Sequence, residues 1–319
     1  MMFAYIQKNS RLERLPHDAD LTDALWIDLY RPLPEQVTRV ADLGVAIPTL
    51  ADMEEIEISN RLYHEDDTEV MTLVLPGLST TETPVSGPVT FILSPGRLVT
   101  VRHHAPRPFE TFPDRANRTT LGCSTHDRVF LGLVEEIVGR LADLLEGIGR
   151  SIDDVSGQVF RSADSPDADA LMLALRALGR EGDLLGRIRL GLMTTERMLS
   201  YYGQTLGGRS DGEALKNTVK AEMRDLQALA VHADFLSQRI GLTSDVTLGM
   251  VNLQQNATVR IVSVVAALFL PPTLIASIYG MNFASMPELN SALGYPLALA
   301  GMVLSAVATW TYFRWKGWL

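Results

Sequence analysis

The chain ends in two apolar runs joined by a short polar segment. IVSVVAALFLPPTLIASIY covers residues 261–279, GMNFASMPELNSALGY residues 280–295, and PLALAGMVLSAVATWTYF residues 296–313. No charged residue lies between Arg260 and Glu288, or between Glu288 and Arg314. Each gap exceeds the ~20 residues that cross a ~30 Å hydrocarbon core. The runs therefore predict two membrane spans. Arg260 precedes the first, Arg314 and Lys316 follow the second, and the connection holds no Lys or Arg. By the positive-inside rule both ends are cytoplasmic and the connection faces outward. Trp310, Tyr312, Trp315 and Trp318 make an aromatic belt at the inner boundary.

Upstream the composition is that of a water-soluble domain. The chain has 319 residues, a formal net charge of −10 and one cysteine, Cys123. That charge argues against a nucleic-acid partner. One cysteine excludes an internal disulfide framework, and the N-terminus has no apolar core of signal-peptide length, so the first ~255 residues are expected in the cytoplasm. There is no Walker loop, no GxGxxG fingerprint and no nucleophile elbow, and strings such as LGGRSDG read as loop punctuation. An enzyme is not expected, nor an organic cofactor. Cys123/His126 and the adjacent His103/His104 fall short of the four ligands of a zinc site. The run His64-Glu65-Asp66-Asp67 reads as a solvated turn.

Residues 1–125 predict a small α/β domain. FAYIQ, ALWIDLY, TEVMTLVLPG, PVTFILSPG and RLVTVRH are strand-like, with Ser94–Gly96 as a hairpin turn, and LPEQVTRVADLG reads as a helix ending at Gly44. From Thr125 the period changes. Val129, Leu133, Ile137, Leu141, Leu144, Ile148, Ile152, Val155 and Val159 predict one long amphipathic helix, and a second spans about 167–202, so 126–210 form long cytoplasmic helices. A third begins near Asp211 and meets no proline before Pro271. It predicts a stalk over 211–279 that continues into the first span at about 261. The fold class is α+β, with 296–313 as second span and 314–319 as a cytoplasmic tail.

On a helix at ~100° per residue, Asp245, Asn252, Asn256, Ser263 and Ser277 share an arc of about 60°, and Thr273 widens it to about 100°. Ser and Thr alone could bond back to their own helix. The aligned set, running from stalk into membrane, predicts a face on water. Two spans cannot enclose a pore, so a lumen needs several copies around an axis. Val259, Val262, Ala266 and Leu270 lie on or beside the arc and would form an apolar neck that closes by dewetting. Pro271-Pro272 removes two backbone donors and should distort the helix locally.

YGMNF followed by MPEL between two C-terminal spans resembles the CorA family of magnesium transporters. FLPPTLIASIYGMNF and the closing Trp-Leu are similar to its enterobacterial-type members, as are ALWIDL, MEEIEIS (Met53–Ser59) and NLQQN. The resemblance implies a homopentameric funnel in the bacterial inner membrane, surrounded by lipid, that takes up Mg²⁺ passively, with Co²⁺ and Ni²⁺ as secondary ions. It implies ion entry at Gly280, Met281 and Asn282, with Asn282 meeting the hydrated ion. It places Asn256 and Thr273 on the conduction path and Val259 and Val262 at the gate; Asn252, Ser263 and Leu270 join the path from the helical arc above. Intracellular Mg²⁺ would bind between cytoplasmic domains and close the channel, at residues left unassigned. Amides suit this cargo, because Mg²⁺ sheds water reluctantly and a carboxylate ring would slow its exit. Many relatives carry an acid just after GMN-Phe. Here Ala284-Ser285 stands there, which leaves Glu288 as the only acid of the outer loop. Two rivals remain: a zinc transporter of the same superfamily, and a membrane-anchored sensor or scaffold whose hairpin is only an anchor.

Overall fold

The computed structural model describes residues 1–55, 57–119, 121–161, 168–207, 212–281, 291 and 293–318. They form two compact units. One comprises Met1–Gly157 and Arg176–Thr243, the other Gln158–Leu175 and Ser244–Leu319.

The first unit is built on a seven-stranded sheet. Its strands are β1 (Met2–Lys8), β2 (Arg11–Arg14), β3 (Trp26–Tyr30), β4 (Leu62–Glu65), β5 (Thr68–Leu78), β6 (Pro84–Ser94) and β7 (Arg97–Arg102). Their order is β2-β1-β3-β7-β6-β5-β4. All neighbours run antiparallel except β3 and β7. The central runs MTLVL and VTFIL are buried on both sides because both faces of the sheet are covered, and their two polar residues, Thr72 and Thr90, bond each other at 2.8 Å. On one face Ile27, Leu29, Ile92, Val99 and Val101 pack with Val40 of α1 (Pro34–Ala41) and Met53 of α2 (Leu50–Glu54). On the other, Trp26, Met71, Leu73, Phe91 and Leu98 pack against the long helices.

Those helices are α5 (His126–Arg161), α6 (Ala168–Thr205) and α7 (Gly212–Tyr279), preceded by short α3 (Ile58–Arg61) and α4 (Pro108–Arg115). Val134, Ile137, Leu141, Leu145, Ile148 and Ile152 of α5 are buried at spacings of three or four, as the apolar period predicts. Aromatic rings tie the layers: Tyr5 stacks on Trp26 at 4.7 Å, Trp26 meets Phe112 edge-on at 5.7 Å, and Phe130 meets Tyr202 at 4.7 Å.

A buried polar chain runs through this core. Trp26 Nε1 donates to Thr100 Oγ1 (3.1 Å), whose hydroxyl donates to Asp28 Oδ1 (2.8 Å). Arg102 Nη2 donates to Asp28 Oδ2 (2.9 Å), and its guanidinium lies 4.5 Å from the Tyr30 ring. The strand register sets this up, since Asp28 is opposite Thr100 and Tyr30 opposite Arg102. Beyond it, His104 is buried, and its Nε2 lies 2.9 Å from the Leu75 carbonyl oxygen. Burial lowers its pKa to about 4, so the ring is neutral at physiological pH. A Cβ at Gly77 or Gly87 would stand 2.8 Å from this ring, so both positions exclude larger residues.

The strand-like stretches of the sequence form β1, β3, β5, β6 and β7, and Gly96 (φ +80°) closes the β6–β7 turn. The first helix ends earlier than read, at Ala41, with Gly44 at φ +81° beyond it. Two hairpins went unread. Asn9-Ser10 and Asp66-Asp67 hold positive φ and join β1 to β2 and β4 to β5. Such two-residue turns are the hairpin signature. The His64–Asp67 run is thus a strand end plus a turn. His64 Nδ1 lies 3.1 Å from buried Glu69, which also accepts from Tyr201.

Glu222 of α7 is only 8% exposed. Burial, with Glu135 and Asp225 nearby, raises its pKa to about 7 from 4.5. Between those values the unfolded carboxyl ionises while the folded one keeps its proton, so stability falls as pH rises through that window. Glu222→Gln is therefore expected to raise the melting temperature at pH 8 and to leave it unchanged at pH 4. A scan in which wild type and variant keep one offset at both pH values would refute this.

Candidate ion path

The second unit carries the membrane-length helices. The C-terminal part of α7 and all of α8 (Gly294–Trp315) are each long and apolar enough to cross a bilayer, with 6% of each apolar window buried. Their side chains therefore face outward from the single chain. α7 runs unbroken through Pro271 and Pro272. As neither proline has an N–H, the carbonyls of Ala267 and Leu268 lose their helical donors.

A narrow strip of α7 is covered and the rest of its circumference, the polar arc included, is bare. Val264 is buried, Leu268, Pro271 and Ile275 are partly buried, and Ile275 comes within 3.8 Å of where a Cβ on Gly301 of α8 would stand. A small residue there lets two helices approach closely. The covered residues lie about 100–160° around the helix from Asn252. Asp245, Asn252, Asn256, Ser263, Thr273 and Ser277 are all exposed. So are Val259 (64%), Val262 (63%) and Leu270 (70%). The polar arc read from the sequence is thus a free face of the chain.

Its hydroxyls do bond back to their own helix. Ser263 Oγ donates to the Val259 carbonyl (2.8 Å), and Thr273 Oγ1 lies 2.9 Å from the carbonyls of Phe269 and Leu270. Each hydroxyl oxygen keeps acceptor capacity toward the outside. Thr309 and Thr311 of α8 bond back in the same way, so hydroxyls alone do not mark the face. The amides do. Asn252 and Asn256, on the stalk just before the first span, have no side-chain partner among the described residues and present two bare amides on this face.

At the outer end α7 stops at Tyr279. Gly280 N–H donates to the Ala276 carbonyl (2.9 Å) and Met281 N–H to that of Ile278 (3.3 Å), a tightened last turn. A Cβ on Gly280 would lie 3.1 Å from the Ala276 oxygen, which favours glycine there. Met281 is exposed. Asn282 and Glu288 lie outside the described residues.

At the other end the two spans meet. Trp318 N–H donates to the Phe313 carbonyl (3.0 Å) and Gly317 N–H to that of Arg314 (3.2 Å), with Gly317 at φ +71°. This is a Schellman cap, and the Trp318 ring stacks on Phe313 at 5.5 Å. The Arg260 guanidinium lies 6.0 Å from the Trp318 ring, and that of Arg314 5.1 Å from Trp310. The start of the first span and the end of the second therefore share one level, with cations and aromatics together. The cap was legible in Arg-Trp-Lys-Gly-Trp, an apolar residue after a glycine that ends a helix, and the sequence reading missed it.

A family model described as "CorA-like Mg2+ transporter protein" matches residues 22–315. The chain belongs to that family. CorA proteins are transporters rather than enzymes, and their cargo is Mg²⁺. The Magnesium transport protein CorA of Yersinia pseudotuberculosis is 32% identical over 322 aligned residues, covering 100% of both chains. The complete CorA structure from Methanocaldococcus jannaschii superposes with a TM-score of 0.75 at 18% identity, over 100% of this chain and 99% of that one. The ZntB cytoplasmic domain of Vibrio parahaemolyticus matches 76% of this chain and 94% of its own, with a TM-score of 0.57 at 13% identity. The shared fold alone therefore does not choose between CorA and ZntB. The full-length CorA relatives favour the first.

Among the described residues no three His, Cys, Asp or Glu side chains converge as a metal site. Cys123 is buried with its Sγ 3.4 Å from the Ser10 carbonyl, and His126 lies 3.6 Å from Asp127.

Proposed function

We propose that this CorA protein is a homopentameric channel for passive Mg²⁺ uptake, with Co²⁺ and Ni²⁺ as secondary cargo, closed when intracellular Mg²⁺ is high. The observation that carries the reading is the bare polar face of α7, turned away from α8 and lined by unpartnered amides. Several copies that turn this face inward would give rings of Asn252 and Asn256, a neck of Val259 and Val262, and further rings at Ser263, Leu270 and Thr273. Gly280, Met281 and Asn282 would form the entrance, where a hydrated ion meets amide oxygens, and Glu288 would add negative charge to the outer loop. Both chain ends would lie in the cytoplasm. Entry is driven by the membrane potential, about 2.3 kcal/mol per charge per 100 mV, doubled for a divalent ion.

The test is native mass spectrometry of the detergent-solubilised chain, followed by flux into liposomes. A five-chain particle that passes Mg²⁺ down an imposed potential is expected, with Co²⁺ and Ni²⁺ slower and Zn²⁺ slower still. A monomeric particle, or one that passes Zn²⁺ in preference, would overturn the reading. A membrane-anchored sensor predicts no flux of any ion.

A further inference from the structure

A cavity of about 610 Å³ opens between α4 and α5. Arg107, Arg115 and Arg118 reach it from α4 and its flanks, and Arg140 reaches it from α5. Arg107 stands at the start of α4, Arg115 at its end and Arg118 in the turn that follows, while positions 136, 140 and 143 share one face of α5. All four arginines line the same cavity, so their side chains converge on one volume.

The charges there do not cancel. Glu136 is already engaged, since its Oε1 accepts from Arg115 Nη1 (2.9 Å) and from Thr111 Oγ1 (2.7 Å). Arg107, Arg118 and Arg140 have no carboxylate partner among the described residues, and only Glu135 and Asp143 remain to face them. Three free guanidiniums against two carboxylates is a local positive excess in a chain of net charge −10. Gly139 forms part of the wall, and a Cβ there would meet nothing within 4 Å. The glycine keeps open a volume within the usual ligand range of about 300–1,000 Å³. Guanidinium forks match phosphate oxygens two at a time, which water and chloride do not.

We propose that this cavity binds a phosphate-bearing polyanion of nucleotide size, either a nucleoside triphosphate or inorganic triphosphate. The site is separate from the bare face of α7 and does not depend on it.

Isothermal titration of the detergent-solubilised full chain with ATP and with sodium triphosphate tests this. Sodium sulfate at matched ionic strength is the control. Both ligands should bind, with sulfate at least about tenfold weaker. ATP binding with no triphosphate binding assigns the site to a nucleotide, and the reverse assigns it to inorganic polyphosphate. Arg118→Gln combined with Arg140→Gln should weaken binding at least about tenfold while the unliganded melting curve stays at the wild-type value. Gly139→Leu adds bulk at a wall position where a Cβ meets nothing within 4 Å, and should block ATP even if the arginine variant folds poorly. Absence of binding by either ligand, equal binding of sulfate, or wild-type affinity in Gly139→Leu would each overturn the proposal.

Discussion

Asn282→Ala is expected to abolish growth of a magnesium-requiring strain that the wild-type chain rescues. The helix delivers Gly280 and Met281 to the end of the bare α7 face, and Asn282 follows directly. On the proposed reading a hydrated divalent ion enters there and meets the Asn282 amides in place of bulk water. Hydrogen bonds to a charged partner are each worth roughly 1.5–3 kcal/mol. A ring of amides lost together removes several at once, so flux should fall by on the order of a hundredfold or more, at about tenfold per 1.4 kcal/mol. Asn282→Asp separates binding from passage. A carboxylate ring should hold the ion more tightly and release it more slowly, so that flux falls while Mg²⁺ protection of the mouth rises. Membrane abundance must match wild type in both cases. Full rescue by Asn282→Ala would remove the mouth from this position.

The largest effect on stability is expected at Asp28. Its carboxylate holds Arg102 and accepts from Thr100, and both charged side chains are almost wholly buried. Asp28→Ala leaves the Arg102 cation enclosed without a counter-charge, a change that costs about 3–5 kcal/mol in buried pairs. That is a large share of the 5–15 kcal/mol available to a typical domain. Thermal melting of the solubilised chain should show a collapse of the cytoplasmic transition. Asp28→Asn, which keeps the acceptor oxygen for Thr100 but not the charge, should lose less. Arg102→Met combined with Asp28→Leu removes both ions, and should recover part of the loss. Equal destabilisation by all three would show that packing, and not the ion pair, is what matters.

Much of this was legible in the residues because the relevant patterns are long. The apolar period of α5 and the two charge-free runs each extend over eighteen or more residues, so chance cannot mimic them. The polar arc of α7 was readable for the same reason. Short features were not. α4 contains Pro113 and spans eight residues, so neither its period nor its composition stands out. The Asp28–Arg102 pair joins residues 74 apart, and no local pattern announces a contact made by strand register. The arginine cavity depends on α4 lying beside α5, which only the packed structure displays. Asn282 is the opposite case: only the family resemblance of its neighbours in the chain points to it, and the described residues end one position before it.

The bare face of α7 has a period of its own. Its positions fall at 245, 252, 259, 266 and 273, and again at 249, 256, 263, 270 and 277. That is a seven-residue repeat on a helix with 3.6 residues per turn, which drifts by about 20° per repeat. The drift is why Thr273 lies at the far edge of the arc. Copies that keep these rows toward a shared axis must wind around it with a left-handed coil. On the proposed reading, slackening or tightening that coil would change the inclination of each helix and turn Val259 relative to Asp245, so torsion of the bundle would alter the width of the neck.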